Sequence, residues 1–303
     1  MSKKALKSAV YSINQFSAQH KKSMAFATRT SMVERLKISI KDLHALGYKV
    51  LHIKNLKSTH INHLVQHWKQ LGLSSGSIKN RMADLRYVAK HFNREHIIHA
   101  SNDYYGIKNR SYIPTKNKAM TACDFSKIKD ERLRCSLELQ QAFGLRREEC
   151  LKIKPQQALR QNTSGQYYLD LQKSWTKGGI HRRIMITNDH QLNIIKKAQK
   201  IAGTGSMIPK EKTYKAQRNF YDTVTRQQGL YNLHGLRHAY AQKRYYEITQ
   251  EKTNNNGWHC PIAGGLKSSQ LTHEEKIIDQ AARKIISNEL GHSRIGIVKN
   301  YTG

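Results

Sequence analysis

Leu290-Gly291-His292-Ser293-Arg294-Ile295, running on through Gly296-Ile297-Val298-Lys299-Asn300 to Tyr301, sets a histidine nine residues before a tyrosine. Two stretches upstream are read with it. One is His234-Gly235-Leu236-Arg237-His238-Ala239-Tyr240; the other is Gly144-Leu145-Arg146-Arg147-Glu148-Glu149, at the end of an apolar helical pattern. Singly they are ordinary. A lone Arg146 would be a surface arginine, and Tyr301 is one of 15 tyrosines. Together, and in this order, they supply what chemistry at a phosphodiester requires.

Cutting DNA without a metal would bring a nucleophile up to an anion, so fixed cationic donors must neutralise the pentavalent transition state. Arginine suits this, being always charged and presenting a planar fork of donors. Arg146 and Arg237 are candidates for the two halves of such a clamp. His234 and Arg237, three apart, share a helix face at an expected helix N-terminus, where the backbone dipole favours phosphate. The nucleophile could be Ser, Cys or Tyr. Tyr301 would need a base or cationic surroundings at neutral pH, and His234 could accept its proton. A departing 5′ oxygen needs an acid, which Lys177 on a hairpin tip could supply, while His292 could add a hydrogen bond to the phosphate.

These stretches resemble the boxes of the tyrosine recombinase family of phage and mobile-element integrases. Gly-Leu-Arg-x-x-Glu is similar to the first-arginine box, His-x-Leu-Arg-His to the second, and Leu-Gly-His-Ser followed by Tyr to the last. The resemblance implies that Arg146, Lys177, His234, Arg237 and His292 bind and activate the phosphate. It also implies a covalent 3′-phosphotyrosyl link at Tyr301, with Glu149 buttressing the first box. Lys177 rests on a hairpin reading rather than a distinctive string. The reaction would be transesterification for integration or excision of a mobile element, with no cofactor and no metal. The implied partners are double-stranded DNA, a homotetramer spanning two DNA sites, and accessory DNA-bending or directionality factors. Rival readings are a type IB topoisomerase or resolvase, and a catalytically silent DNA-binding accessory protein.

Composition agrees with a polyanionic partner. Lys and Arg number 53 against 21 Asp and Glu, a net charge of +32, and a surplus of that size repels itself unless a polyanion lies against it. No apolar run reaches membrane-spanning length, and the basic N-terminus lacks the apolar stretch of a signal peptide. Cys123, Cys135, Cys150 and Cys260 show no CxxC pairing and read as reduced cytosolic thiols in a cytoplasmic, nucleoid-associated protein. A zinc site from His259, Cys260 and His273 would fit no common ligand spacing.

The expected fold class is mainly α with a small β-sheet. The resemblance adds a helical core-binding domain (1–105), a linker (106–118) and a catalytic domain (119–303), closing on DNA as a C-shaped clamp. Leu36, Ile40 and Leu43 recur at helical spacing. A second helix, capped near Ser58-Thr59, places Ile61, Leu64, Val65, Trp68 and Leu71 on one face. A third turns Ile78, Met82, Leu85, Ala89 and Phe92 inward, and shows Lys79, Arg86 and Lys90 as a basic stripe suited to phosphates. The first 25 residues, too few for a separate DNA-binding domain, form one basic helix with Val10, Ile13 and Phe16 on a face. Periodicity lapses around Pro114. Strands are expected at Tyr167–Gln172 and His181–Thr187 around Lys177-Gly178-Gly179. A helix at Tyr214–Gln228 offers Lys215 and Arg218 to a groove. Arg237 and His292 are 55 positions apart, more than the family pattern requires, and an Asn- and Gly-rich loop insertion at about 250–272 accounts for the excess. Relatives carry a tail beyond the tyrosine that docks on a neighbouring protomer; here Thr302 and Gly303 follow it.

Overall fold

The computed structural model describes residues 3–109, 113–254 and 256–303. The chain divides into two compact units, Met1–Ser111 and Tyr112–Gly303.

Among its described residues the first unit holds four α-helices: α1 (Lys3–Gln19), α2 (Phe26–Ala45), α3 (Ser58–Gln70) and α4 (Ser75–His91). Their apolar spacing builds one core from Ile13, Phe16, Leu36, Ile40, Leu43, Trp68, Met82 and Leu85. Asp42 accepts from the Trp68 indole at 2.8 Å and from Arg81 at 3.2 Å, and Arg35 grips Asp84 with two hydrogen bonds. Two details depart from the periodic reading. Ser58 is already helical; Lys57 takes the cap position, its N–H donating to His60 Nδ1 at 3.2 Å. Leu71 is 58% exposed, because the helix stops at Gln70 and the face it would have shared ends with it.

The second unit starts from α5 (Glu131–Phe143), capped by the Asp130 carboxylate accepting from the Leu133 N–H at 2.7 Å. Two short helices follow, α6 (Arg147–Lys152) and α7 (Pro155–Ala158). Strands β1 (Leu159–Gln161), β2 (Tyr167–Leu171) and β3 (Arg182–Met185) form an antiparallel sheet in sequence order. The β2–β3 register pairs Leu169 with Ile184 and Leu171 with Arg182. The expected strand pair is present, but the hairpin is not tight. Residues 172–181 intervene, and Lys177–Gly179 is a single 3-10 turn with Gly178 at φ 76°.

Beyond the sheet come α8 (Asp189–Ala202), α9 (Tyr214–Gln227), α10 (Gly235–Thr253) and α11 (His273–Glu289). A 3-10 turn, Ile295–Val298, then leads into α12 (Lys299–Thr302). α5 packs on α8 and α10, so the core of this unit forms around Phe143, Leu145, Leu169, Leu171, Ile195, Leu236 and Ile286.

The 250–272 segment differs from a plain loop. α10 continues to Thr253, and the irregular backbone starts only at Asn254. Cys260 is 1% exposed within the core cluster, and the Trp258 N–H donates to Thr249 Oγ1 at 2.8 Å. Cys260 thus serves as a small hydrophobe. Among the described residues no helix is long and apolar enough to cross a membrane, and no three His, Cys, Asp or Glu side chains gather as a metal site.

Candidate functional site

The site grows from two helix ends. α5 stops at Gly144 and α11 at Leu290-Gly291, and each end leaves carbonyls without intrahelical partners. Arg237, on the first turn of α10, spans both: Nη1 donates to the Gly144 carbonyl at 2.6 Å, and Nη2 to the Leu290 carbonyl. A guanidinium between two negative helix ends is a favourable placement for a cation. Both glycines are required sterically. Gly144 has φ 59°, and a Cβ there would lie 2.5 Å from the Tyr240 ring; Gly291 has φ 63°, with the Arg182 side chain at 3.0 Å.

Arg146 caps α6, and its side chain reaches Glu149 Oε1 at 2.8 Å while its N–H donates to Oε2 at 2.8 Å. Glu149 is fully buried and also receives both ends of the Arg182 fork, at 3.1 and 2.7 Å. Arg237 approaches it to 3.9 Å. Burial alone would raise this carboxyl, but Arg182, Arg146 and Arg237 outweigh it and hold it down at about 2. Glu149 is thus an anion beneath three arginines, Arg146, Arg182 and Arg237. It fixes their geometry and leaves the outer side of the cluster positive.

Arg237 is completely buried, and its Nε has no partner among the described residues. Burial, then the neighbouring Arg146, lower its pKa to about 10, so it stays charged at neutral pH. His292 Nε2 lies 3.3 Å from Arg237 Nη2. Arginine can only donate, so Nε2 is the acceptor, and the ring proton sits on Nδ1, an atom also without a partner among the described residues. Burial, then Arg237, Arg146 and Arg182, push His292 down to about 3, which keeps it neutral. Two buried donors, Arg237 Nε and His292 Nδ1, therefore lack acceptors beside the half-buried Arg146.

Tyr301 packs over this cluster and is 7% exposed. Its hydroxyl lies 3.4 Å from His234 Nε2, its ring stacks on His292 with centroids 5.4 Å apart, and it meets the His238 ring tilted, with centroids 4.5 Å apart. The Arg237 guanidinium sits 5.8 Å from the ring centroid. His234 occupies the cap position of α10. Its pKa is lowered by desolvation first and then by Arg237 and Arg146, leaving a neutral ring that can accept a proton. A cleft of about 410 Å³ opens beside it, lined by Arg147, Asp222, Arg226, Tyr231 and His234 among others.

Of the six candidate catalytic residues, Arg146, His234, Arg237, His292 and Tyr301 come together, with Glu149 beneath them. Lys177 does not join them. It is exposed on the β2–β3 connection and makes no hydrogen bond or ion pair among the described residues. The α4 stripe is divided in its roles: Lys79 donates to Asn109 at 2.6 Å, and Arg86 to the His99 carbonyl and to Asn102 Oδ1, both at 3.0 Å. These two fasten the chain that follows α4, while Lys90 stays exposed. On α9, Lys215 is exposed and Arg218 half-buried, its Nη2 on Asn219 at 3.3 Å; neither touches the cluster.

Two members of the site were given no role by the motif reading, although His238 closes the His-x-Leu-Arg-His string. Arg182 lies at an inward-facing β3 position, two before the buried Ile184, where the strand alternation places an apolar side chain. His238 follows Arg237 and sits one helical turn after His234, a spacing that could have marked it as a neighbour of the same site. Burial, then His234, Lys118 and Arg237, lower its pKa to about 4, so it is a neutral wall of the tyrosine pocket.

Comparison with known proteins gives two matches to family models. The one described as "Phage integrase, N-terminal" matches residues 12–98, and the one described as "Integrase" matches residues 107–243. No curated protein sequence matches. Among solved structures, a lambda integrase dimer bound to a COC′ core site superimposes with a TM-score of 0.58 at 14% identity, covering 97% of this chain and 76% of that one. A lambda integrase tetramer bound to a Holliday junction gives 0.57 at 13%, covering 97% and 77%. The Tn1549 transposon integrase in complex with transposon right end DNA gives 0.51 at 12%, covering 97% and 95%. At such identities the likeness concerns the fold.

Proposed function

The chain belongs to the tyrosine recombinase family of integrases, and from that premise we propose that Tyr301 is the nucleophile with which it cleaves and rejoins DNA. The observation that carries this reading is the Tyr301 hydroxyl beside His234, above two arginines that a buried carboxylate holds in place. The solved structures it resembles are integrases on DNA, one of them a tetramer on a Holliday junction. By that likeness this chain binds double-stranded DNA through its basic surface and acts as a tetramer on two duplexes.

The scissile phosphate enters where Arg237 Nε and His292 Nδ1 lack acceptors, with Arg146 closing from the half-exposed side. Neutral His234 takes the phenolic proton as the tyrosine oxygen bonds to phosphorus. The pentavalent transition state puts its charge on donors already fixed before DNA arrives, which is where electrostatic catalysis gains most. The bond to the 5′ oxygen breaks, leaving a 3′-phosphotyrosine and a 5′ hydroxyl, and Lys177 protonates the departing oxygen once its loop closes on DNA. Rejoining is the reverse, with the 5′ hydroxyl of a second strand attacking the phosphotyrosine. The free energy of the broken bond is retained in that link.

A library of nicked duplexes with a randomised core tests the reading. Cleavage beside a nick releases a short strand and strands the protein on DNA, so adducts that survive denaturation are counted. Wild type is expected to accumulate them on a selected core sequence, and Tyr301→Phe none. A wild type that binds selected duplexes yet yields no adduct would establish a silent DNA-binding protein. Relaxation of supercoiled plasmid without site preference would establish a topoisomerase.

A further inference from the structure

The nucleophile rides on a helix of four residues, too short to hold itself, yet Thr302 is completely buried and Tyr301 nearly so. The restraint comes from side chains elsewhere in the second unit. Arg283 of α11 donates through Nη1 to Thr302 Oγ1 at 2.7 Å and to the Gly303 carbonyl at 2.9 Å. Its Nε is held by both Asp279 oxygens, at 2.8 and 2.9 Å, and Asp279 also accepts from the Tyr245 hydroxyl at 2.6 Å. Thr302 accepts from Arg283 while donating to the Val298 carbonyl at 3.2 Å, so its hydroxyl is used in both directions. From α10, Gln242 donates to the Tyr301 carbonyl at 3.0 Å, and a reciprocal amide pair with Asn117 fixes its orientation. The inserted segment closes the far side: a Cβ on Gly303 would lie 2.8 Å from the Ile262 nitrogen and 2.9 Å from Pro261 Cβ.

We propose that Arg283, oriented by Asp279 and Tyr245, forms with Gln242 and the Pro261-Ile262 backbone a latch in cis that docks the α12 turn and so aims Tyr301 at the phosphate pocket. The inference rests on Tyr301 being the nucleophile. None of these groups touches the reacting phenol, so they are positioning residues and not catalytic ones. They grip backbone and Thr302 alone, which sets the height and tilt of the turn and leaves the Tyr301 ring free to react. In this reading the inserted segment is one jaw of a device that holds the nucleophile in its own active site, and tyrosine release begins with its departure from Gly303.

Four variants test the latch. Arg283→Met removes the two-pronged grip; Thr302→Val removes the bonds to Arg283 and the Val298 carbonyl, Gln242→Leu those to the Tyr301 carbonyl and Asn117, and both stay informative if the first fails to fold. Two measurements are made on each full-length chain: amide hydrogen exchange in residues 295–303, and single-turnover cleavage of a nicked duplex that wild type is found to cut. Thr302→Val and Gln242→Leu are each expected to speed exchange and slow cleavage by about tenfold, and Arg283→Met by more, with DNA affinity within about twofold of wild type. Arg283→Lys, which keeps the ion pair with Asp279 but not the reach to Thr302, is expected to restore melting temperature without restoring cleavage. Wild-type cleavage rates in the variants would overturn the latch, as would DNA affinity falling in parallel with rate. Faster exchange in the variants, with no adduct from wild type itself, would instead overturn the nucleophile assignment.

Discussion

Arg237 and Lys177 carry the same charge and are assigned to the same reaction, yet the fold treats them oppositely. Arg237 is fully buried, its guanidinium spanning the ends of α5 and α11. Lys177 stands exposed before two positive-φ glycines, with no hydrogen bond or ion pair among the described residues. A cation that stabilises transition-state charge must be in place beforehand, and burial beside carbonyl acceptors does that at the expense of desolvation. An acid that meets only the leaving oxygen can arrive with the DNA. In the proposed mechanism, the contrast would separate the part of the site built during folding from the part completed on binding.

Five substitutions can break or sharpen that contrast. Arg237→Ala should do the most, stranding the Gly144 and Leu290 carbonyls at the ends of α5 and α11. Chemical denaturation should show a loss of about 3–5 kcal/mol, and covalent trapping a fall of about 10³-fold or more. Glu149→Gln comes next, and pH reports it. The folded carboxyl sits at about 2 against an ordinary value of 4.5. Its stabilising effect is therefore complete above pH 4.5 and is lost as pH falls toward 2. The variant should lose about 3 kcal/mol at neutral pH and show a flatter stability curve across that acid window. A wild-type curve as flat as the variant's would refute the three-arginine cradle. Lys177→Ala should leave melting temperature unchanged and slow cleavage by about 10²-fold, with recovery on a duplex carrying a bridging 5′ sulfur, a leaving group that needs no acid. Failure of the sulfur substrate to restore the rate would remove Lys177 from the acid role. The smallest effect belongs to Lys90→Ala, which should lower the log–log salt slope of DNA binding by about 1 with melting unchanged. Arg86→Ala should lower melting temperature as well, because its guanidinium braces the 99–102 segment.

The motif residues were legible because helix ends impose local strings. Gly144 and Gly291 must take positive φ where α5 and α11 stop, so the arginine and histidine following them sit at fixed offsets from a visible glycine. Most of the first unit was legible for a related reason: Leu36, Ile40, Leu43 and Trp68 obey a 3.6-residue period that survives without tertiary information. Arg182 was not legible, since its burial depends on Glu149, 33 positions earlier, and an arginine in a three-strand sheet otherwise reads as exposed. Strand β1 is three residues long, too short to carry a period. The docking of Pro261 and Ile262 on Gly303 is invisible for another reason. Irregular backbone follows no period, and what fixes it is the space left between α10, α11 and the last turn.

The grip on α12 through carbonyls and Thr302 has a practical corollary. Because Arg283 and Gln242 hold the turn without using the phenolic oxygen, Tyr301→Phe gives up the contact with His234 but should fold with the turn seated and the arginine cradle intact. Such a chain would engage its duplex and stop there, making it a reagent for capturing the uncut synapse, and a means to isolate from a genome the sequences this protein selects.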